Sequence, residues 1–149
     1  VLQRVNDLLQ PDMTAHMFAT CFYAILDPAT GELSFANAGH NLPYLRTSTD
    51  VVALRATGMP LGLLAEMTYE ERTIQVMHGE CVLFYSDGLV EAHNADRAMF
   101  GSRRLQAFLA GQDRNCPAML GNLLAGLASF TGADIEQEDD ITLVALHRS

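Results

Sequence analysis

Six or seven short apolar runs, most of them closed by a turn of a few residues, fill the stretch from Met17 to Ser86. Parallel neighbours need a crossover of a dozen residues or more, so runs this closely spaced pair mostly antiparallel. Two amphipathic helical segments and one further apolar run follow. Helices with a single apolar stripe must bury it, and an antiparallel sheet offers the face. The expected fold class is therefore α+β.

Leu2, Val5, Leu8 and Leu9 lie on one face of a helix over Val1–Gln10, which Pro11 and Asp12 end. Met17–Leu26 reads as a strand, Asp27–Glu32 as a turn with Gly31 at positive φ, and Leu33–Ala36 as the returning strand of a hairpin. Asn37–Asn41 is a tight polar connection. Leu42–Arg46 and Val51–Leu54 flank a polar turn, Gly58–Gly62 is irregular, and Thr68–Met77 is a strand. Cys81–Ser86 is almost continuously apolar, as expected of a central strand covered on both faces. Ser102 can cap the first late helix, whose stripe is Leu105, Phe108 and Leu109. Asn115-Cys116-Pro117 opens the second, which Gly132 ends. An acidic loop, Asp134–Asp140, leads into a last strand, Ile141–His147.

Composition removes several function classes. With 149 residues, one domain with a sizeable core is expected. The formal net charge is −9 and the nine Lys and Arg are scattered, so no basic face for nucleic acid is expected. No apolar run reaches the length of a membrane span, and the first ten residues are no signal peptide, so a cytoplasmic protein without membrane contact is expected. Three cysteines with no C-x-x-C pair argue against a disulfide framework or a zinc knuckle. Cys21 and Cys81 read as buried small hydrophobes. A phosphate-binding cysteine loop needs Arg six residues after Cys, where this chain has Asp27, Asp87 and Asn122.

Two places carry chemistry. In Tyr85-Ser86-Asp87-Gly88 a carboxylate follows a buried strand, and Gly88 permits a sharp turn that would project Asp87 from the sheet's end. In Glu138-Asp139-Asp140-Ile141-Thr142 adjacent carboxylates precede another apolar run. If the two strands are neighbours, these carboxylates could share a hard divalent cation such as Mg²⁺ or Mn²⁺. A strand-ending turn and a solvated acidic loop explain each place taken alone.

The order and spacing of several segments resemble the metal-dependent protein phosphatase family (PPM, type 2C-like), in its bacterial SpoIIE-type branch. These segments are Phe18–Ala24, Asp27–Leu33, Asn37-Ala38-Gly39-His40, Pro60-Leu61-Gly62, Gly79-Glu80, Tyr85–Ala92, Phe100-Gly101 and Asp139–Leu143. The resemblance implies the C-terminal portion of such a domain, a β-sandwich flanked by helices in α-β-β-α layers. It implies two Mn²⁺ or Mg²⁺ ions between the sheets, with Asp87 and Asp139 as metal ligands and Asp140 the lesser ligand of its pair. The implied activity is hydrolysis of phosphoserine or phosphothreonine on a regulatory protein, an anti-sigma-factor antagonist in this branch, with no protein nucleophile. His40 reads as a turn histidine satisfied by backbone, and Glu91 as a residue ordering the segment after Asp87.

The chain departs from the family at one point. The family's bridging Asp opens a Gly-rich segment, and no Asp-x-x-Gly-x-Gly stretch occurs here. The 149 residues are therefore expected to hold part of the metal site, to be weakly active alone, and to leave apolar sheet surface through which a homodimer could form. Asp27 or Glu138 would have to replace the bridging Asp if activity were ordinary. The alternative is a catalytically incomplete regulatory or protein-binding module with a degenerate metal site.

Overall fold

The structure, a computed structural model, describes residues 1–14, 17–111, 116–132 and 139–149. The described residues form two compact units: residues 1–42 with 54–76, and residues 43–53 with 77–149. Both are α+β with antiparallel sheets, as the short turns predict.

In the first unit, helix α1 (Leu2–Leu9) runs into a 3₁₀ turn over Gln10–Asp12. Strands β1 (Cys21–Leu26) and β2 (Glu32–Ala38) make the expected hairpin, with Leu26 opposite Leu33 and Gly31 at φ 81°. Strand β5 (Glu71–Gln75) adds to the other side of β2, giving the order β1-β2-β5. Leu2, Ala38 and Leu61 are the buried centre of a small core here.

Two expectations fail in this unit. Met17 and Phe18 are largely exposed and the strand starts only at Cys21. Leu8 is 68% exposed, whereas Asn6, a polar residue, is fully buried. The Asn6 side chain donates to the Leu64 carbonyl at 3.0 Å and accepts from the Gly62 N–H at 2.9 Å. Two hydrogen bonds to otherwise unmet backbone groups outweigh the hydrophobicity that Leu8 would have brought inward.

The second unit is built on a sheet in the order β4-β3-β6-β7, comprising β4 (Val51–Ala53), β3 (Tyr44–Arg46), β6 (Cys81–Tyr85) and β7 (Leu143–His147). The apolar run Cys81–Tyr85 is indeed central, paired with β3 on one side and β7 on the other. Helices α3 (Gly101–Gly111) and α4 (Cys116–Thr131) cover one face. Alternate residues Cys81, Leu83 and Tyr85 meet Leu105, Leu109, Met119, Leu123 and Leu127 there. Tyr44 and Tyr85 stack with ring centroids 6.0 Å apart, and burial pushes the Tyr85 phenol well above its ordinary pKa. α3 starts at Gly101, so Ser102 lies inside the helix. Pro117 stands in the first turn of α4, Gly132 follows it at φ 90°, and Asn115 falls outside the described residues.

Cys81 and Cys116 form a disulfide, with Cα atoms 6.1 Å apart, contrary to the expectation of no disulfide. The two residues lie 35 positions apart, and only the packing of α4 on β6 brings them together. Cys21 is the free thiol, half-buried, with its pKa raised by burial.

Candidate metal centre

β6 delivers the first carboxylate. Its last residue, Tyr85, is buried and pairs with Leu143. Ser86 continues extended, with φ −82° and ψ 164°, and the chain then enters a short helix, α2 (Asp87–Glu91). The sequence shows no sign of this helix, because five residues are too few to display a period. It replaces the sharp glycine turn expected at Gly88. Asp87 is its first residue and is exposed, and its Oδ1 accepts the Gly88 N–H at 3.0 Å.

β7 delivers the other two. Its entering segment, Asp139–Thr142, runs back alongside the end of β6 and is fastened there by Ser86. The Ser86 N–H donates to the Thr142 carbonyl at 3.0 Å, the Ser86 hydroxyl donates to the Asp140 carbonyl at 3.0 Å, and the Thr142 N–H donates to the Ser86 hydroxyl at 2.9 Å. Asp139 turns its Oδ1 to the Asp140 N–H at 2.8 Å. Gly88 makes this approach possible, because a Cβ at position 88 would stand 2.6 Å from the Asp140 carbonyl oxygen and 3.3 Å from that of Asp139. The role of Gly88 is thus close packing of two backbones. Sequence reasoning also passed over Ser86, for which the only signal was a hydroxyl beside the acid.

The structure therefore brings Asp87, Asp139 and Asp140 to the same end of two adjacent strands, all three exposed. Among the described residues neither Asp87 nor Asp140 has a cationic partner. Unpaired carboxylate oxygens are the donors that Mg²⁺ and Mn²⁺ take, and such ions keep several waters when the protein supplies few ligands. The donor set fits such an ion in chemistry and falls short in number: among the described residues no three His, Cys, Asp or Glu side chains converge as a metal cluster. Glu138 lies outside the described residues. Asp27 belongs to the first unit, where its Oδ1 accepts the Ala29 N–H at 2.9 Å within the hairpin turn.

The other two residues considered are His40 and Glu91. His40 belongs to the first unit. Its N–H donates to Asn37 Oδ1 at 2.8 Å, its carbonyl accepts from Asn37 Nδ2 at 2.9 Å, and its Nδ1 is 3.0 Å from the Thr20 hydroxyl. Glu91 makes no side-chain hydrogen bond among the described residues. The segment after α2 is ordered by others. Asn94 Oδ1 accepts the N–H groups of Asp96 and Ala98, and Arg104 donates to the Met99 and Phe100 carbonyls while lying 4.8 Å over the Phe130 ring.

Comparison with solved structures agrees on the fold. The PP2C domain of SiaA from Pseudomonas aeruginosa superposes with a TM-score of 0.79 at 22% identity, over 95% of this chain and 56% of that one. The phosphatase domain of the cell fate determinant SpoIIE from Bacillus subtilis, presoaked with Mn, gives 0.73 at 17% identity, over 98% of this chain and 64% of that one. Among curated proteins, the phosphoserine phosphatase RsbU of Bacillus subtilis is 26% identical over 153 residues, 99% of this chain and 44% of RsbU. Protein IcfG of a Synechocystis strain is 30% identical over 134 residues, 89% of this chain and 21% of IcfG. The chain spans less than half the length of either relative. The family described as Stage II sporulation protein E (SpoIIE) matches residues 1–149, from end to end, and the chain belongs to that family.

Proposed function

We propose that these residues are the C-terminal portion of a metal-dependent serine/threonine protein phosphatase domain. Its substrate class is a cytoplasmic regulatory phosphoprotein of the anti-sigma-factor-antagonist kind, dephosphorylated at phosphoserine or phosphothreonine. The observation that carries the reading is the fastening of the Asp139–Asp140 backbone against Gly88 and Ser86, which keeps Asp87 and Asp139 at one strand end. The names of two relatives, the phosphoserine phosphatases RsbU and RsbP, support it.

Two Mn²⁺ or Mg²⁺ ions would supply an activated water and neutralise charge on the phosphoryl group. Asp87 and Asp139 would hold them, with Asp140 as the lesser ligand. Asp139 Oδ1 accepts the Asp140 N–H, a contact that helps to orient the carboxylate. Ser86 touches no substrate in this scheme; it positions the strand that carries Asp139.

The shortage of converging donors among the described residues favours a second reading, a regulatory or protein-binding module with a degenerate metal site. Asp87→Asn and Asp139→Asn in the full-length protein decide between them. The first reading expects Mn²⁺-dependent hydrolysis of a phosphoserine protein to fall by at least about a hundredfold, with thermal stability unchanged or slightly raised as carboxylate repulsion is relieved. Turnover in either variant near that of the parent sinks it. A parent with no Mn²⁺-dependent turnover establishes the second.

A further inference from the structure

At the opposite end of the second unit's sheet lies a cleft of about 400 Å³ between the β3–β4 turn and α3. Arg46 pairs with Cys81 at the start of β6, while Asp87 follows its end, so the cleft stands roughly 20 Å from the carboxylates along the strand. We propose that this cleft binds a small dianionic oxyanion of the phosphate class, separately from the carboxylate end.

The lining is cationic in a chain that is otherwise strongly acidic. Arg46 and Arg103 both line it, against one acid among the described residues, Asp50. Asp50 Oδ1 already accepts the Val51 N–H at 2.7 Å, which draws part of its charge into the turn. α3 contributes Arg103 to the lining and carries no acid along its length. Arg46 shares the strand face of Tyr44, whose hydroxyl accepts from Gln106 of α3 at 2.7 Å, so Arg46 also faces the helix.

Arg46 is only 7% exposed and is engaged by contacts within the protein. Arg103 is exposed and makes no hydrogen bond or ion pair among the described residues; the hydroxyls of Ser48 and Thr49 likewise have no partner there. A free guanidinium and two open hydroxyls beside a buried arginine, in a concave site, present the donors that a phosphate takes. Val51 and Leu109 supply an apolar wall against which an organic body can lie.

The test is titration of the full-length protein, freed of metal with a chelator, at constant ionic strength. Inorganic phosphate and adenosine monophosphate are the two probes, read by calorimetry and by amide chemical shifts. Saturable binding of phosphate is expected, with shifts concentrated at Thr47–Val51 and along α3. Arg103→Ala should weaken it about tenfold, as loss of a charge-assisted hydrogen bond does. Ser48→Ala tests the turn independently of any charge and should weaken binding by a smaller factor. Asp87→Asn should bind as the parent does. Tighter binding of the monophosphate would show the apolar wall in use, and equal binding would show a site for the bare ion; both support the site. Absence of saturable binding, shifts confined to the Asp87 end, or unchanged affinity in both Arg103→Ala and Ser48→Ala would overturn it. Arg103 and Ser48 are exposed, so neither variant endangers the fold.

Discussion

Replacing Gly88 by alanine separates the stability of the carboxylate end from its chemistry. The added methyl would stand 2.6 Å from the Asp140 carbonyl oxygen and 3.1 Å from its carbon, where an ordinary contact begins at 3.4 Å. Either α2 or the Asp139–Asp140 segment must therefore retreat by about 0.8 Å, and the obstacle is backbone with no rotamer to change. Overpacking of this kind costs about 1–3 kcal/mol. Gly88 lies within a helix and alanine is the better helix former by about 1 kcal/mol, which offsets part of that cost. The net loss of stability is then about 0–2 kcal/mol, a fall of up to about 8 °C in melting temperature for a domain of about 150 residues. Activity should suffer far more, because a displacement near 1 Å in a positioned group can cost about a hundredfold. Thermal unfolding and Mn²⁺-dependent dephosphorylation of a phosphoserine protein, measured on the same full-length preparation, read the two effects side by side. A Gly88→Ala protein with parental turnover would refute the reasoning, since the close approach would then have no bearing on where Asp87 and Asp139 stand.

Two further outcomes concern the first unit. Asn6→Leu keeps the number and branching of side-chain heavy atoms but strands the Leu64 carbonyl and the Gly62 N–H, so urea unfolding should show a loss of about 2–4 kcal/mol; a neutral or stabilising effect would show that water replaces the side chain. The Cys21 thiol, its pKa raised by burial, should be alkylated with a pH midpoint above that of a thiol in an unfolded peptide. Because the fold favours the protonated thiol, its contribution to stability is complete below the unfolded thiol's pKa and is lost as pH rises through the folded value. A midpoint at or below that of the peptide contradicts the burial.

The parts legible in the sequence were those set by local pattern. The unbroken apolar run at Cys81–Tyr85 announced a central strand, and Gly31 announced the hairpin, because burial on two faces and a positive φ each leave a mark on a few adjacent residues. That Asp87 and the Asp139–Asp140 pair stand at strand ends was legible in the same strand readings, whereas the adjacency of those strands entered only as a condition and is supplied by the sheet order. What escaped was set by distant contact. Asn6 is inside because two backbone groups some 56–58 residues away need it. Gly88 is small because the Asp140 backbone lies against it. The Cys81–Cys116 bond depends on how a helix lands on a sheet, which spacing does not encode.

The alternation of the chain between its two units bears on how the protein is made. The β3–β4 hairpin is translated between pieces of the first unit yet belongs to the sheet of the second, so no single cut yields either unit whole. Arg46 must wait for Cys81, which emerges thirty-five residues later, roughly 2–7 s at ribosomal speed. Throughout that interval β3 has β4 on one side and an open edge on the other, an invitation to pair with a strand of a neighbouring nascent chain. Synthesis on crowded polysomes is therefore the stage at which this protein is most exposed to misassembly, and slowing translation between residues 46 and 81 should lower its soluble yield.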